Sequence, residues 1–199
     1  MSISVEQIKQ LREKTGCGMM DCKKVLLETK GNEEKAINML REKGLAAVAK
    51  RAGRTAAQGL VDSYIHFGGK IGVLIEVNSE SDFVAKNLEF QTFVKDLSLQ
   101  IAASSPQYIS REEVPEEIIK NEEQIIKAQA EKEGKPAKAM EKIITGRIDK
   151  FYAEICLMEQ PFVKDPKTKI SDLLATLVAK IGENIVVRRF TRYQLGEKS

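Results

Sequence analysis

The sequence predicts an α+β protein, and three observations predict it. Apolar residues recur at helical spacing near both ends of the chain and through a long central stretch. Two runs alternate with a period of two on either side of a paired-glycine turn. A third strand-like run lies near the C-terminus, placed to join the first two in a three-stranded antiparallel sheet. Together these give an N-terminal three-helix bundle at 1–52 and an α/β core at 53–199. An antiparallel helical hairpin is inserted in that core at 115–157.

Taken in order, Ser4-Val5-Glu6-Gln7 is a capping box, with Ser4 as N-cap and Gln7 reaching back. Val5, Ile8 and Leu11 follow at helical spacing, and Thr15-Gly16 stops the helix. A second helix runs from about Met19 to Thr29, with Val25, Leu26 and, as a third candidate, Met20 on its inner face. Gly31 ends it and Asn32 caps a third, in which Ala36, Ile37, Leu40 and Leu45 carry the pattern. The stretch AAVAKRAGRTAAQG, from Ala46 to Gly59, begins as a helical extension and becomes a linker. Strands are expected at Leu60–His66 and Lys70–Val77 around FGGK, whose glycines supply positive φ for a tight turn. Ile71, Val73, Ile75 and Val77 alternate onto one face.

After NSESDFVAKN (Asn78 to Asn87), a helical stripe of Phe90, Phe93, Val94, Leu97 and Ile101 ends at Ser104-Ser105-Pro106. QYIS is consistent with one more short strand. Ile118, Ile119, Ile125 and Ile126 form one narrow stripe, and Met140, Ile144, Ile148, Phe151 and Ile155 another. EGKP lies between them, with Gly134 at a helix stop and Pro136 at a helix start. Such a narrow seam suits a projecting coiled-coil arm. PFVKDPKTK reads as a loop. A last helix carries Ile170, Leu173, Leu174, Leu177, Val178 and Ile181 to a stop at Gly182, and NIVVRRFTRYQL is the third strand.

Composition narrows the function. With 42% hydrophobic and 31% charged residues the chain reads as a globular protein of the aqueous phase, and a net charge of +3 creates no demand for nucleic acid or an acidic membrane. MSISVEQIKQLREK contains no apolar signal-peptide core, and no apolar run approaches the 18 or so residues that span a bilayer, so a cytoplasmic location is expected. Cys17, Cys22 and Cys156 fit no common zinc spacing and read as reduced thiols. The single histidine, His66, falls in a strand pattern, and no P-loop, zincin or EF-hand motif occurs. No reaction centre is visible, so no enzyme, no metal and no cofactor are expected.

At this point the sequence resembles the bacterial elongation factor Ts family over essentially its whole length, in a short form. LREKTGCGMMDCKKVL (Leu11 to Leu26) looks like the family's N-terminal signature and SDFVAKN like its second. GKP, GRIDKFYAEICLMEQPFVKD and KIGENIVVRRF look like its later blocks. Cys17 stands where the family more often has alanine, and Ser81 where it usually has threonine. The resemblance implies a guanine-nucleotide exchange factor for elongation factor Tu in translation elongation. It also implies that residues 1–52 form a ubiquitin-associated-like bundle. Longer members carry two copies of the α/β unit and this chain one, which implies a homodimer and a 2:2 complex with Tu. No membrane and no direct nucleic acid are expected as partners.

The resemblance further implies two sets of contact residues. In the family, the phenylalanine matching Phe83 enters the partner's magnesium site. Ser81, Asp82, Phe83 and Val84 would therefore form a magnesium-dislocating element. Arg12, Met19, Met20 and Lys23 would dock on the partner's nucleotide-binding domain. Local chemistry is compatible: Ser81 is an N-cap, and Asp82 sits favourably at a helix start, which holds Phe83 on the first turn. From the residues alone, Phe83 has a second reading, as a core ring or a staple on the helix of Phe90. For Val84 and Met20 the alternative is core packing, and for Arg12 and Lys23 a solvated face; since Met19 and Met20 cannot both point inward, at least one of them should be exposed. Two other functions compete with this one: an adaptor binding through 1–52, and an RNA binder using Lys50, Arg51, Arg54, Arg188, Arg189 and Arg192.

Overall fold

In the computed structural model of the chain, residues 3–134 and 136–197 are described, the side chains of 137 and 138 apart. Lys135, inside the expected EGKP turn, lies outside the described residues. The chain is a mixed helix-and-sheet protein of the α+β class, in two compact units: Met1–Ser98 with Ser171–Ser199, and Leu99–Ile170. The expected boundary after residue 52 falls inside the first of these.

The first unit begins with α1 (Val5–Thr15), α2 (Met19–Glu28) and α3 (Glu33–Arg51). The capping box is made in both directions: Gln7 N–H donates to Ser4 Oγ at 3.1 Å and Ser4 N–H to Gln7 Oε1 at 3.0 Å. Asn32 Oδ1 accepts from Lys35 N–H at 2.9 Å and starts α3. Ile8, Leu11, Cys22, Val25, Leu26, Ala36 and Leu40 close into one apolar cluster. Helical spacing alone placed Val5, Met20, Ile37 and Leu45 on the inner side too, and all four are exposed. The reason is geometric. Three short helices enclose a seam only one or two side chains wide, so α3 buries Ala36, Leu40 and Gly44, at every fourth position, and turns their neighbours outward.

The sheet has strand order β1-β2-β5, with β1 at Gln58–Ile65, β2 at Ile71–Ser79 and β5 at Ile185–Gln194. Both pairings are antiparallel, and β5 carries an irregularity opposite Glu76/Val77. Gly68 (φ 85°) and Gly69 (φ 71°) make the turn the sequence requires. Val73, Ile75 and Val77 on β2, with Ile185 and Val187 on β5, face the interior. Buried residues of α5 (Leu88–Ser104) and α8 (Ile170–Ile181) complete it: Phe90, Val94 and Leu97 from α5, Leu174, Leu177 and Val178 from α8. The bundle lies against α8. A Cβ on Gly44 would meet Ala175 Cβ at 3.3 Å, and Arg41 Nε pairs with Asp172 Oδ1 at 2.7 Å.

The second unit contains α6 (Glu116–Lys132) and α7 (Ala137–Ile155), an antiparallel pair seamed by Ile126, Ala130 and Ile148. Ile125, expected in that seam, is half exposed because adjacent positions on a narrow helix stripe cannot both face one partner. QYIS forms a single bridge, Tyr108 to Cys156, rather than a strand. PFVKDPKTK is not a loop. Pro161–Phe162 (β3) pairs with Asp165–Lys169 (β4), and both prolines sit at strand beginnings, where an absent N–H costs little. Arg111 holds this unit's turns together, donating to both carboxylate oxygens of Glu159 (2.6 and 3.0 Å) and to Asp149 (2.9 Å).

Candidate functional site

The candidate site grows from the end of β2. Antiparallel pairing ends at Ser79 opposite Ile185. One rung further the backbones part, and side chains take over the ladder. Glu80 Oε1 accepts from the Asn184 N–H at 2.6 Å. The Glu183 carboxylate accepts from the Ser81 N–H at 3.0 Å and from the Ser81 hydroxyl at 2.7 Å. The fully buried Ser79 hydroxyl donates to the Ser81 carbonyl at 2.9 Å. Ser81 Oγ in turn accepts from Val84 N–H at 3.4 Å, the N-cap contact of a one-turn helix, α4 (Asp82–Ala85). Lys86 and Asn87 then separate α4 from α5, so DFVA is an element of its own rather than the first turn of the long helix.

Within this turn the side chains divide sharply. Val84 is buried, and α4 packs against β1 and β2. Phe83 is 80% exposed. The ring is therefore neither core nor a staple on α5. The Lys86 ammonium, hydrogen-bonded to Asp82 at 2.7 Å, holds that carboxyl below its ordinary range and keeps it an anion beside the ring. Phe67 in the hairpin turn is exposed as well, so what sets Phe83 apart is the turn that carries it, whose start is held by Ser79 and Glu183.

The second set lies on the bundle. Arg12, near the end of α1, and Lys23 on α2 are exposed, and neither makes an ion pair among the described residues. Met19 is 44% and Met20 73% exposed, so Met20 does not take the inner-face position that helical spacing also offered. Met20, Lys23 and the exposed Leu27 stand at i, i+3 and i+7, so they share one outward stripe of α2. The residues a nucleic acid would need are mostly engaged. Arg51 donates to the Gly182 and Ala47 carbonyls, Arg54 meets Glu80, Arg189 pairs with Glu76, and Arg192 with Glu197.

The nucleophile candidates are quiet. Cys17, Cys22 and Cys156 are free thiols. Burial raises all three, Cys156 to about 11, which is the opposite of an activated cysteine. His66 shares a hydrogen bond with the Tyr64 hydroxyl in the hairpin. Among the described residues no group of three or more His, Cys, Asp or Glu is arranged to hold a metal, and no helix is long and apolar enough to cross a membrane. Sequence reasoning missed Glu80, Glu183 and Asn184. Their role depends on the β2–β5 register, and the only signal in the sequence is an acid placed directly after the helix-stopping Gly182.

Comparison with known proteins matches the sequence to one family. The family model described as Elongation factor TS matches residues 9–197. An elongation factor Ts from Alkaliphilus oremlandii is 62% identical over 197 residues, covering 99% of this chain and 91% of that protein. Those of Caldanaerobacter subterraneus subsp. tengcongensis and Moorella thermoacetica are 57% and 58% identical over 98% of this chain, and cover 98% and 96% of their own lengths. The latched DFVA turn, the bundle and the sheet are thus those of a chain that belongs to the elongation factor Ts family.

Proposed function

We propose that this protein is a guanine-nucleotide exchange factor for elongation factor Tu, acting in translation elongation in the cytoplasm. It makes no covalent bond. Binding to Tu and binding of GDP to Tu oppose each other through a coupling free energy that is equal in both directions. GDP is held by phosphate contacts and a magnesium ion, so disturbing the ion's surroundings removes much of its affinity. A rigidly presented apolar ring meets that need, where a base or nucleophile does not. Ser81, Asp82, Phe83 and Val84 form the element, with Phe83 as the wedge, Ser81 and Val84 as its anchors and Asp82 as a charged flank. The observation that carries the reading is the 80% exposed Phe83 on a turn whose backbone is tied at both sides of Ser81.

Residues 1–52 act as the docking module. Arg12, Met19, Met20 and Lys23 meet the nucleotide-binding domain of Tu, the methionines adapting to its surface. Residues 53–199 are the exchange core, with 115–157 an inserted helical hairpin. The core also forms a homodimer, giving a 2:2 complex. Support for this comes from the outer sheet face, where Leu74 lies at the centre between Ser63 and Thr191, and Ile65 and Tyr193 flank Gly72. Val61, Ile65, Leu74 and Tyr193 are all exposed there. A sheet with one covered and one bare apolar face gains from a second copy. No cofactor, membrane or nucleic acid enters the scheme. The test is release of labelled GDP from Tu with and without this protein. Acceleration at micromolar concentration is expected, and an unchanged rate would reject the proposal.

A further inference from the structure

A four-residue helix cannot hold a shape by itself. Its nucleation is unfavourable, and it closes too few hydrogen bonds to repay the ordering. Something outside α4 must therefore fix the direction of Phe83. Val84 packs the turn on β1 and β2, and Gln91 Nε2 donates to the Ala85 carbonyl at 3.3 Å at its far end, but the side-chain hydrogen bonds that reach its start from a distant segment come from one residue. Glu183 accepts both the N–H and the hydroxyl of Ser81, at 3.0 and 2.7 Å, with its two carboxylate oxygens. Every other tie on Ser81 comes from its own chain neighbourhood, Ser79 and Val84.

Glu183 is itself anchored. The Gly182 carbonyl that precedes it accepts from Arg51 Nε at 2.9 Å. Asn184, which follows and is buried, donates its N–H to Glu80 and its side-chain amide to the Arg54 carbonyl at 2.8 Å. Glu80 and Glu183 thus form a reciprocal pair: each carboxylate receives the backbone N–H of the opposite segment, continuing the β2–β5 ladder past its last rung. Two charge-assisted bonds onto one residue define both the position and the rotation of the peptide that starts α4. We propose that Glu183 is a positioning residue for exchange: it touches neither Tu nor nucleotide, and it sets the aim of Phe83 through Ser81. The inference rests on the exchange reading above.

The test measures labelled GDP release from Tu across a range of factor concentrations, for the wild type, Glu183→Ala, Glu183→Gln, Phe83→Ala and the double variant Glu183→Ala/Phe83→Ala. Failure of the wild type to accelerate release would reject the exchange reading itself. Given an active wild type, Glu183→Ala should lower the saturating rate about tenfold, since a small misplacement of a contact group has effects of that size. Glu183→Gln keeps the shape and one acceptor, and should fall about threefold. In the Phe83→Ala background, Glu183→Ala should change the saturating rate by less than about twofold, because the ring it aims is gone. A purely structural role behaves differently. Partial unfolding removes active molecules, so it raises the concentration needed for half-maximal release and leaves the saturating rate alone. If Glu183→Ala does not fold, Glu183→Gln carries the same comparison. A wild-type saturating rate in the folded variants, or an equal loss with and without Phe83, would overturn the proposal.

Discussion

At the scale of single residues, two positions show backbone and side chain under opposite pressures. Gly59, the second residue of β1, has φ 140°, and a Cβ there would lie 2.2 Å from the Val77 carbonyl oxygen and 2.7 Å from Asn78 Cα. No rotamer relieves a clash with backbone. Gly59→Ala should destabilise the protein by at least about 2 kcal/mol, read as a lower midpoint in urea unfolding. An unchanged midpoint would mean that β1 begins elsewhere in solution. Phe83 is the converse case, a residue whose side chain the fold does not use. Its place at the strand-to-helix junction was visible in the sequence, but its exposure was not. Periodicity says which positions repeat, and an isolated turn has no repeat. The same limit applied to Met20, where two adjacent methionines shared one helix start and only the packed seam decided which way each pointed.

At the scale of elements, the long periodic ones were legible. The capping box, the Asn32 cap, the paired glycines and the closing Gly182 each marked a boundary through local chemistry that tertiary packing did not override. The β3–β4 hairpin was hidden because two prolines in nine residues resemble a loop. The Glu80–Asn184 and Glu183–Ser81 ties were hidden because they join segments about a hundred residues apart, as their separations of 104 and 102 show. Two predictions belong here. Met20→Asp, on the outward stripe of α2, should weaken association with Tu at least about tenfold without lowering thermal stability, as measured by calorimetric titration and melting. Unaltered affinity would remove Met20 from the docking surface.

The second concerns Arg111 and Glu159 in the Leu99–Ile170 unit. The Arg111 guanidinium holds the Glu159 carboxyl below its ordinary range. A carboxyl depressed in the folded state stabilises above its unfolded pKa, and that stabilisation disappears as pH falls through the folded value. Lowering the pH below about 4 should therefore loosen the turns at 111–113 and 157–159. Glu159→Gln should be less stable than wild type by about 1 kcal/mol at neutral pH, allowing for screening around the partly exposed pair, and the difference should shrink as the pH falls below about 4. Hydrogen exchange at neutral and at acid pH reads this directly. A constant difference between the two proteins would contradict the sign.

At the scale of the whole molecule, the bare outer sheet face predicts self-association. Leu74→Glu places a charge at its centre, where the leucine is 52% exposed, so the monomer should keep its fold while the dimer dissociates in sedimentation. A wild-type chain that stays monomeric at high concentration would reject the 2:2 assembly and leave the exchange mechanism standing. That mechanism makes a sharper demand, because it assigns the work to a ring the fold can do without. The most direct measurement compares labelled GDP release from elongation factor Tu driven by the wild type and by Phe83→Ala, with the melting curve of each recorded alongside. The account predicts superimposable melting curves and release about tenfold slower with the variant, a difference of about 1.4 kcal/mol in the barrier. Equal release rates, or a Phe83→Ala protein that no longer folds, would contradict it.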